Sequence, residues 1–277
     1  SQNLTFKVLA STGFRAPTAW ESFNATRQRK ANPDLRPERM RSLEVGVGYR
    51  FFEKYYLSVH QYYTRISDLL LEVETNEANP DLPGSNYNQN QNVGRARIYG
   101  TEVVGDFQLT DTLHVNVNYT YSEGYYRDLP DTITSSPSTL GRPGDDLLRD
   151  YIRETQEREI APVEGPIPNI ASHHANAGFT WYVLRNLSWN LRANYVDIRR
   201  TIASNPERTI EGYVLWHTNL RYEDAFGVTN LFLNFLIKNL TDEAFYDPGI
   251  RTATGVYYPT RHPIEGRNFW LTLGYRF

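Results

Sequence analysis

Histidine is the side chain best suited to proton transfer near neutrality and to binding borderline metals. The chain carries six, at His60, His114, His173, His174, His217 and His262. None belongs to an HExxH arrangement or to a spacing that would build a zinc site. His173 and His174 are neighbours in an alternating segment, so their rings point to opposite sides and do not easily chelate one ion. His60 and His114 fall on the polar side of their segments, where hydrogen bonding to whatever fills the interior is the expected role. No paired Asp/His constellation is visible, and general acid–base hydrolysis requires one. Cysteine is absent, which removes disulfides and thiolate ligands. The residues therefore assign no catalytic group, no metal and no cofactor.

Binding chemistry is better represented. Arg and Tyr give planar, hydrogen-bonding contacts at low conformational cost. Tyr125, Tyr126, Arg199, Arg200, Arg251, Tyr257 and Tyr258 stand near the ends of regular segments or in long connections, and are the candidate ligand contacts. Arg15, Pro17 and Glu21, with Pro33, Leu35, Pro37 and Glu38, read instead as the frame of one loop and its return strand, because proline fixes φ. Gly94 and Gly100 mark a close backbone approach or a bend, and Asp247-Pro248-Gly249 is a turn signal. A net charge of -3 without a clustered basic surface excludes nucleic acid as an expected partner.

These residues hang on ten stretches of about ten residues with period-two alternation, the span of a tilted membrane strand. The clearest sets Leu113, Val115, Val117, Tyr119 and Tyr121 against His114, Asn116, Asn118, Thr120 and Ser122. The others begin near residues 4, 43, 55, 99, 175, 187, 214, 231 and 266; the third is expected to run from 55 to 71. Short turns at FFEKYY, LTDT, LRN and EDAFGVTN alternate with long loops near 16–41, 72–93, 128–168, 203–211 and 244–265. A soluble sandwich has no reason to alternate its connections in this way. An outer-membrane barrel does, with short periplasmic turns and long extracellular loops. No run approaches the roughly 20 apolar residues of a spanning helix, while aromatic residues form 14% of the chain, as interfacial girdles demand. The expected fold is an all-β, transmembrane antiparallel barrel wall, apolar outside and polar inside.

Five stretches resemble one family in order and spacing: STGFRAPTAWE (11–21), NPDLRPERMRSLEVGV (32–47), NVGRARIYGTEV (92–103), NLTDEAFYDPG (239–249) and EGRNFWLTLGYRF (265–277). They are similar to the C-terminal half of TonB-dependent outer-membrane receptors, and the resemblance covers essentially the whole chain. It implies a 22-stranded barrel around a plug domain, of which residues 1–277 would be a single incomplete domain holding the last ten strands, with the plug and earlier strands lying upstream. It also implies that Phe269, Leu271, Leu273, Tyr275 and Phe277, alternating and ending on an aromatic, form the signal read by the barrel-assembly machinery. The implied partners are outer-membrane lipid and lipopolysaccharide, the remaining barrel strands, and TonB through the plug. The implied localisation is the outer membrane of a Gram-negative bacterium.

Within 141–165 the strand period breaks: Leu147, Leu148, Tyr151 and Ile152 recur at helical spacing behind Asp145 and Asp146, which predicts a short helix on an acidic extracellular loop. The leading function is TonB-dependent import of a scarce nutrient, foremost a ferric siderophore or similar metal chelate, with no reaction catalysed. Two other classes remain open here: a self-contained ten-stranded barrel enzyme of the omptin kind, and a receptor-like scaffold that has lost transport.

Overall fold

Ten long strands satisfy the alternation. In a computed structural model, which describes residues 3–129, 165–202, 205–249 and 259–277, they are β1 (Leu4–Arg15), β2 (Glu38–Phe51), β3 (Tyr55–Ser67), β4 (Arg95–Gln108), β5 (Leu113–Arg127), β6 (His173–Leu184), β7 (Leu187–Val196), β8 (Tyr213–Glu223), β9 (Leu231–Lys238) and β10 (Asn268–Tyr275). Each pairs antiparallel with its sequence neighbour, giving one continuous meander from β1 to β10. All ten expected strands are present, and the long and short connections alternate as the sequence implies.

Antiparallel register carries one face straight across the wall, because directly paired residues point to the same side. On β2 to β5 the outer face reads, from the short-turn end, Phe51–Tyr55–Phe107–Val115, then Tyr49–Leu57–Gly105–Val117, then Val47–Val59–Val103–Tyr119. Further towards the long loops come Val45–Gln61–Thr101–Tyr121 and Leu43–Tyr63–Tyr99–Glu123. Rings cluster at both ends, as with Tyr55 and Phe107 at 6.3 Å and Tyr99 stacked on Tyr125 at 6.4 Å. These are the two girdles expected at the membrane interfaces.

The apolar side chains lie outside the wall, not within a core. Phe6 is 66% exposed and Leu271 73% exposed, values that no two-layer sandwich would tolerate for its inward face. A bilayer supplies the missing apolar partner, and it also requires that strands pair along their whole length.

The structure departs from the sequence reading in the second long loop. The third strand ends at Ser67 and not at 71. Asp68 takes φ 58, a left-handed conformation that a short polar side chain tolerates, and its carbonyl accepts a 3.0 Å bond from Asn92 Nδ2. The chain then forms a hairpin, Leu70–Ala78 against Asn86–Asn92, and Arg29–Lys30 of the first loop adds to it as a parallel third strand. The ninth strand stops at Lys238, where Asn239 turns at φ 51 and its side chain bonds both backbone groups of Glu243, at 2.8 and 2.9 Å. Gly94 sits at φ 68, and a Cβ on it would lie 2.4 Å from Leu129; Gly100 backs onto the Tyr121 carbonyl, 2.2 Å from where a Cβ would be. The helix expected within 141–165 lies outside the described residues.

Candidate functional site

The inner face is polar and internally bonded. Glu44 on β2 meets Lys7 of β1 at 3.5 Å and His60 Nδ1 of β3 at 3.1 Å. His114 Nε2 on β5 lies 2.9 Å from Asp106 Oδ1 on β4. The two histidines placed on the polar side are thus held by carboxylates of the wall itself. Across β5, β6 and β7 three amides stand in register: Asn176 Nδ2 donates to Asn118 Oδ1 at 2.7 Å, and Asn194 Nδ2 donates to Asn176 Oδ1. Sequence reading put Asn118 on the polar face without seeing the ladder, since period two fixes the face and leaves open which residue of the next strand stands opposite.

At the long-loop end the first two loops are bound into one body. Arg15, on the last residue of β1, donates from Nε to Glu38 Oε2 at 2.7 Å and from one terminal nitrogen to both Glu21 oxygens, at 2.9 and 3.1 Å. Glu21 belongs to a five-residue helix, Ala19–Phe23, capped by Thr18 in a reciprocal capping box. Burial pushes the Glu21 carboxyl up, but the Thr18 backbone N–H, the Arg15 guanidinium and the Thr18 hydroxyl outweigh it and hold the group below its ordinary range. Glu38 also accepts from the Leu70 backbone at 2.8 Å, which fastens the hairpin. Asn90 then donates to the Glu21 carbonyl at 2.8 Å, and Asn32 to the Asn90 carbonyl at 2.8 Å. Buried Arg29 pairs with Glu72 and lies over Trp20 at 4.6 Å. The architectural reading of Arg15, Glu21 and Glu38 is what this geometry expresses. The Asn/Gln-rich stretch NYNQNQN, Asn86–Asn92, is the feature the sequence reading passed over; its density of amides was the available signal.

The candidate ligand contacts separate. Tyr125 and Tyr126 are consecutive on β5 and point to opposite faces. Tyr125 donates to Glu123 Oε2 at 2.7 Å, whereas Tyr126 packs on the cluster of Leu69, Ala96 and Leu129. Arg199 is buried and committed: Nη1 donates to Asp247 Oδ1 at 2.7 Å, Nη2 to the Tyr246 carbonyl, and the guanidinium lies 5.6 Å over Tyr213. Arg200 is exposed and joins Tyr125, Glu123 and Asp197 around a cleft of about 190 Å³ at the outer end of β5. Arg251, Tyr257 and Tyr258 lie outside the described residues. Of the seven, the structure brings Tyr125 and Arg200 to one cleft and gives Arg199 and Tyr126 packing roles.

On the last strand Phe269, Leu271, Leu273 and Tyr275 alternate along the outer face, with Phe269 stacked at 6.4 Å on Phe235 of β9 and Phe277 edge-on to Tyr275 at 5.3 Å.

Comparison with known proteins agrees with this architecture. The family model described as TonB dependent receptor-like, beta-barrel matches residues 1–240. The vitamin B12 transporter BtuB of Vibrio vulnificus is 25% identical over 281 residues, covering all of this chain and 36% of the relative. Among solved structures, the ferric-catecholate import receptor Fiu of E. coli K12 superposes with a TM-score of 0.68 at 15% identity, over 100% of this chain and 33% of that one. The ferric enterobactin receptor PfeA of Pseudomonas aeruginosa gives 0.69 at 14% identity, over 99% of this chain and 38% of that one. The chain spans about a third of the length of the proteins it matches. With its two-faced wall, its outward girdles and a family match across most of its length, the chain belongs to the TonB-dependent receptors and forms part of their outer-membrane β-barrel.

Proposed function

We propose that the receptor containing this chain imports a scarce, bulky nutrient across the outer membrane, with energy delivered through TonB, and that a ferric siderophore or similar metal chelate leads as substrate. The observation that carries the proposal is the sorting of the wall: apolar side chains such as Phe6 and Leu271 outside, and the Asn118–Asn176–Asn194 ladder with its charged neighbours inside. Such a wall is built to enclose a polar interior within lipid. The relatives named for ferric-catecholate and ferric enterobactin support the iron reading, and the vitamin B12 transporter supports cobalamin as the competing cargo.

In this reading the ten strands are part of a larger cylinder, and β1 and β10 pair with its further strands. Substrate is received where extracellular loops converge, with Tyr125 and Arg200 at the described part of that surface, Arg251, Tyr257 and Tyr258 as the other contacts, and Tyr126 and Arg199 holding the surface from beneath through their packing. The terminal run Phe269, Leu271, Leu273, Tyr275 and Phe277 is the signal for the assembly machinery. The test is radioactive-iron uptake by cells that express the full receptor as their sole route, against a panel of siderophores, with labelled cobalamin in parallel. Loss of iron uptake on deletion and on Arg200→Ala supports the proposal. Unchanged accumulation of every iron chelate, with cobalamin uptake lost, replaces iron by cobalamin as the cargo.

A further inference from the structure

The polar face of the wall carries charge of two signs, divided between its halves. On β1–β5 the inward carboxylates Glu44, Glu102 and Asp106 outnumber Lys7 and Arg50. On β6–β10 the inward cations Arg192, Arg221, Lys238 and Arg276 face one carboxylate, Glu223. Arg192 stands opposite His217, whose Nδ1 accepts the Asn239 N–H at 3.1 Å, while Lys238 lies 5.4 Å over Trp270. At the short-turn end two of the arginines converge on one ring. Phe232 of β9 is an apolar side chain on this polar face, paired with Glu223 of β8 and Gly274 of β10. It lies over the glycine, where a Cβ would come 2.2 Å from its Cζ. The Arg221 guanidinium is 4.3 Å from the ring centre and that of Arg276 5.5 Å. Both reach the same oxygen, Glu223 Oε1, Arg221 from Nε at 2.7 Å and Arg276 from Nη2 at 3.4 Å.

Two guanidinium groups on one carboxylate leave a net positive charge, and their other N–H groups have no acceptor among the described residues. Cation–π contact with a shared ring holds both forks in place. Planar donors of this kind match carboxylate and other oxyanion oxygens in bidentate geometry. Arg276 is 62% exposed at the rim, so the site opens towards the short-turn, periplasmic side. The Arg192–His217 level lies four residues further along β8 than Arg221, about 14 Å at the rise of an extended strand. An anion leaving that level moves towards a second cationic one, and away from the acidic half of the wall. We propose that Arg221, Phe232 and Arg276 form an oxyanion-binding station at the periplasmic mouth, fed from Arg192 and Lys238, and that the cargo passing it is a net-anionic metal chelate presenting carboxylate or catecholate oxygens. Its cargo rests on the import reading above; its charge rests on the wall alone.

The station is tested without any cargo. Thr272→Cys, in the row of Arg221 and Asn234, places a thiol beside it in a full receptor otherwise free of cysteine, held in lipid nanodiscs. Its reaction rates with a sulfonate-bearing and a trimethylammonium-bearing methanethiosulfonate are compared, each relative to a free thiol in solution. The ratio should favour the anionic reagent by at least about tenfold, the low end of electrostatic focusing in a cleft. Arg221→Gln with Arg276→Gln should return it to the free-thiol value, and Glu223→Gln should raise it. A ratio that ignores these substitutions overturns the station, and so does a thiol that neither reagent reaches, since polypeptide then occupies the site. Should the double variant lose heat-modifiable mobility, Arg276→Gln alone decides: a fall of at least about threefold supports the station, and an unchanged ratio refutes it. Uptake by cells tests the cargo. The double variant should accumulate a net-negative ferric tris-catecholate at about one-tenth of the unaltered rate or less, with surface binding in the cold unchanged. Import by the unaltered receptor of only a net-neutral ferric tris-hydroxamate or cobalamin overturns the anionic cargo. Import of nothing at all refutes the transport reading, and the thiol ratio still decides the station.

Discussion

Arg199 reaches from the loop after β7 to Asp247 in the loop after β9, Nη1 to Oδ1 at 2.7 Å, and so joins two connections that the sequence separates by 48 residues. A second donor to the Tyr246 carbonyl makes the grip two-pointed. Removing the arginine leaves that carbonyl and carboxylate without their charged donor. Arg199→Ala is expected to destabilise this loop pair by about 1.5–3 kcal/mol, the range for hydrogen bonds to charged groups. Arg199→Lys should restore little of it, because one ammonium cannot span both acceptors. Amide exchange over 199–202 and 246–248 checks both.

Glu21 sets a pH dependence. Its folded pKa lies below the ordinary 4.5, so the unfolded state binds the proton more readily. The stabilisation is therefore complete above that ordinary value and is lost as pH falls through the lower folded one. The brace of Arg15, Glu21 and Glu38 should be intact at neutral pH and loosen progressively as the pH falls below the ordinary carboxylate value. Exchange of the Ala19–Phe23 amides, corrected for intrinsic rates, should rise below about pH 4.5, and Glu21→Gln should abolish the transition while leaving the helix open at neutral pH.

Thr18 offers an independent handle on the same loop. Its hydroxyl accepts the Glu21 backbone N–H at 3.1 Å. Thr18→Ala should cost about 1 kcal/mol of local stability, the usual worth of such a cap, and Thr18→Ser almost none, read from the same amides.

Val59 lies mid-wall on the outer face between Val47 and Val103. Val59→Arg should cost about 2–4 kcal/mol in a bilayer, while Glu102→Gln on the inner face should cost far less. Urea titration of the receptor in lipid vesicles distinguishes them; equal effects would contradict the assignment of the faces.

On the proposed assembly-signal reading, Phe277 bears on delivery of the receptor to the membrane and not on the packing of the finished wall. Phe277→Ser is expected to lower the amount of receptor reaching the outer membrane several-fold, with the melting behaviour of what does arrive unchanged. Surface labelling and heat-modifiable mobility separate the two.

Much of the wall was legible in the chain because its signals are local. Every second residue of β5 is apolar from Leu113 to Tyr121, and a membrane demands that sorting whatever the neighbouring strand contains. The errors fall where the environment changes from lipid to water. Residues 68–71 continue the apolar pattern, yet Asp68 turns them into a loop hairpin whose partners include Arg29 and Lys30. The candidate ligand contacts show the same limit. Tyr125 and Tyr126 are equivalent as residue types and positions, but consecutive strand residues diverge, and only pairing decides that one borders an open cleft and the other packs on Leu69 and Leu129.

By itself, then, the sequence determined the number of wall strands, their two faces and their polarity, because period-two alternation and loop length act on each segment separately. The tertiary structure decided which residues meet. Arg41, Arg65 and Arg97 become one row, Asn118, Asn176 and Asn194 one ladder, and Arg199 and Asp247 one clasp, through register and loop packing. Those contacts join segments tens of residues apart, and sliding a strand by one pair would dissolve them while leaving every local preference satisfied.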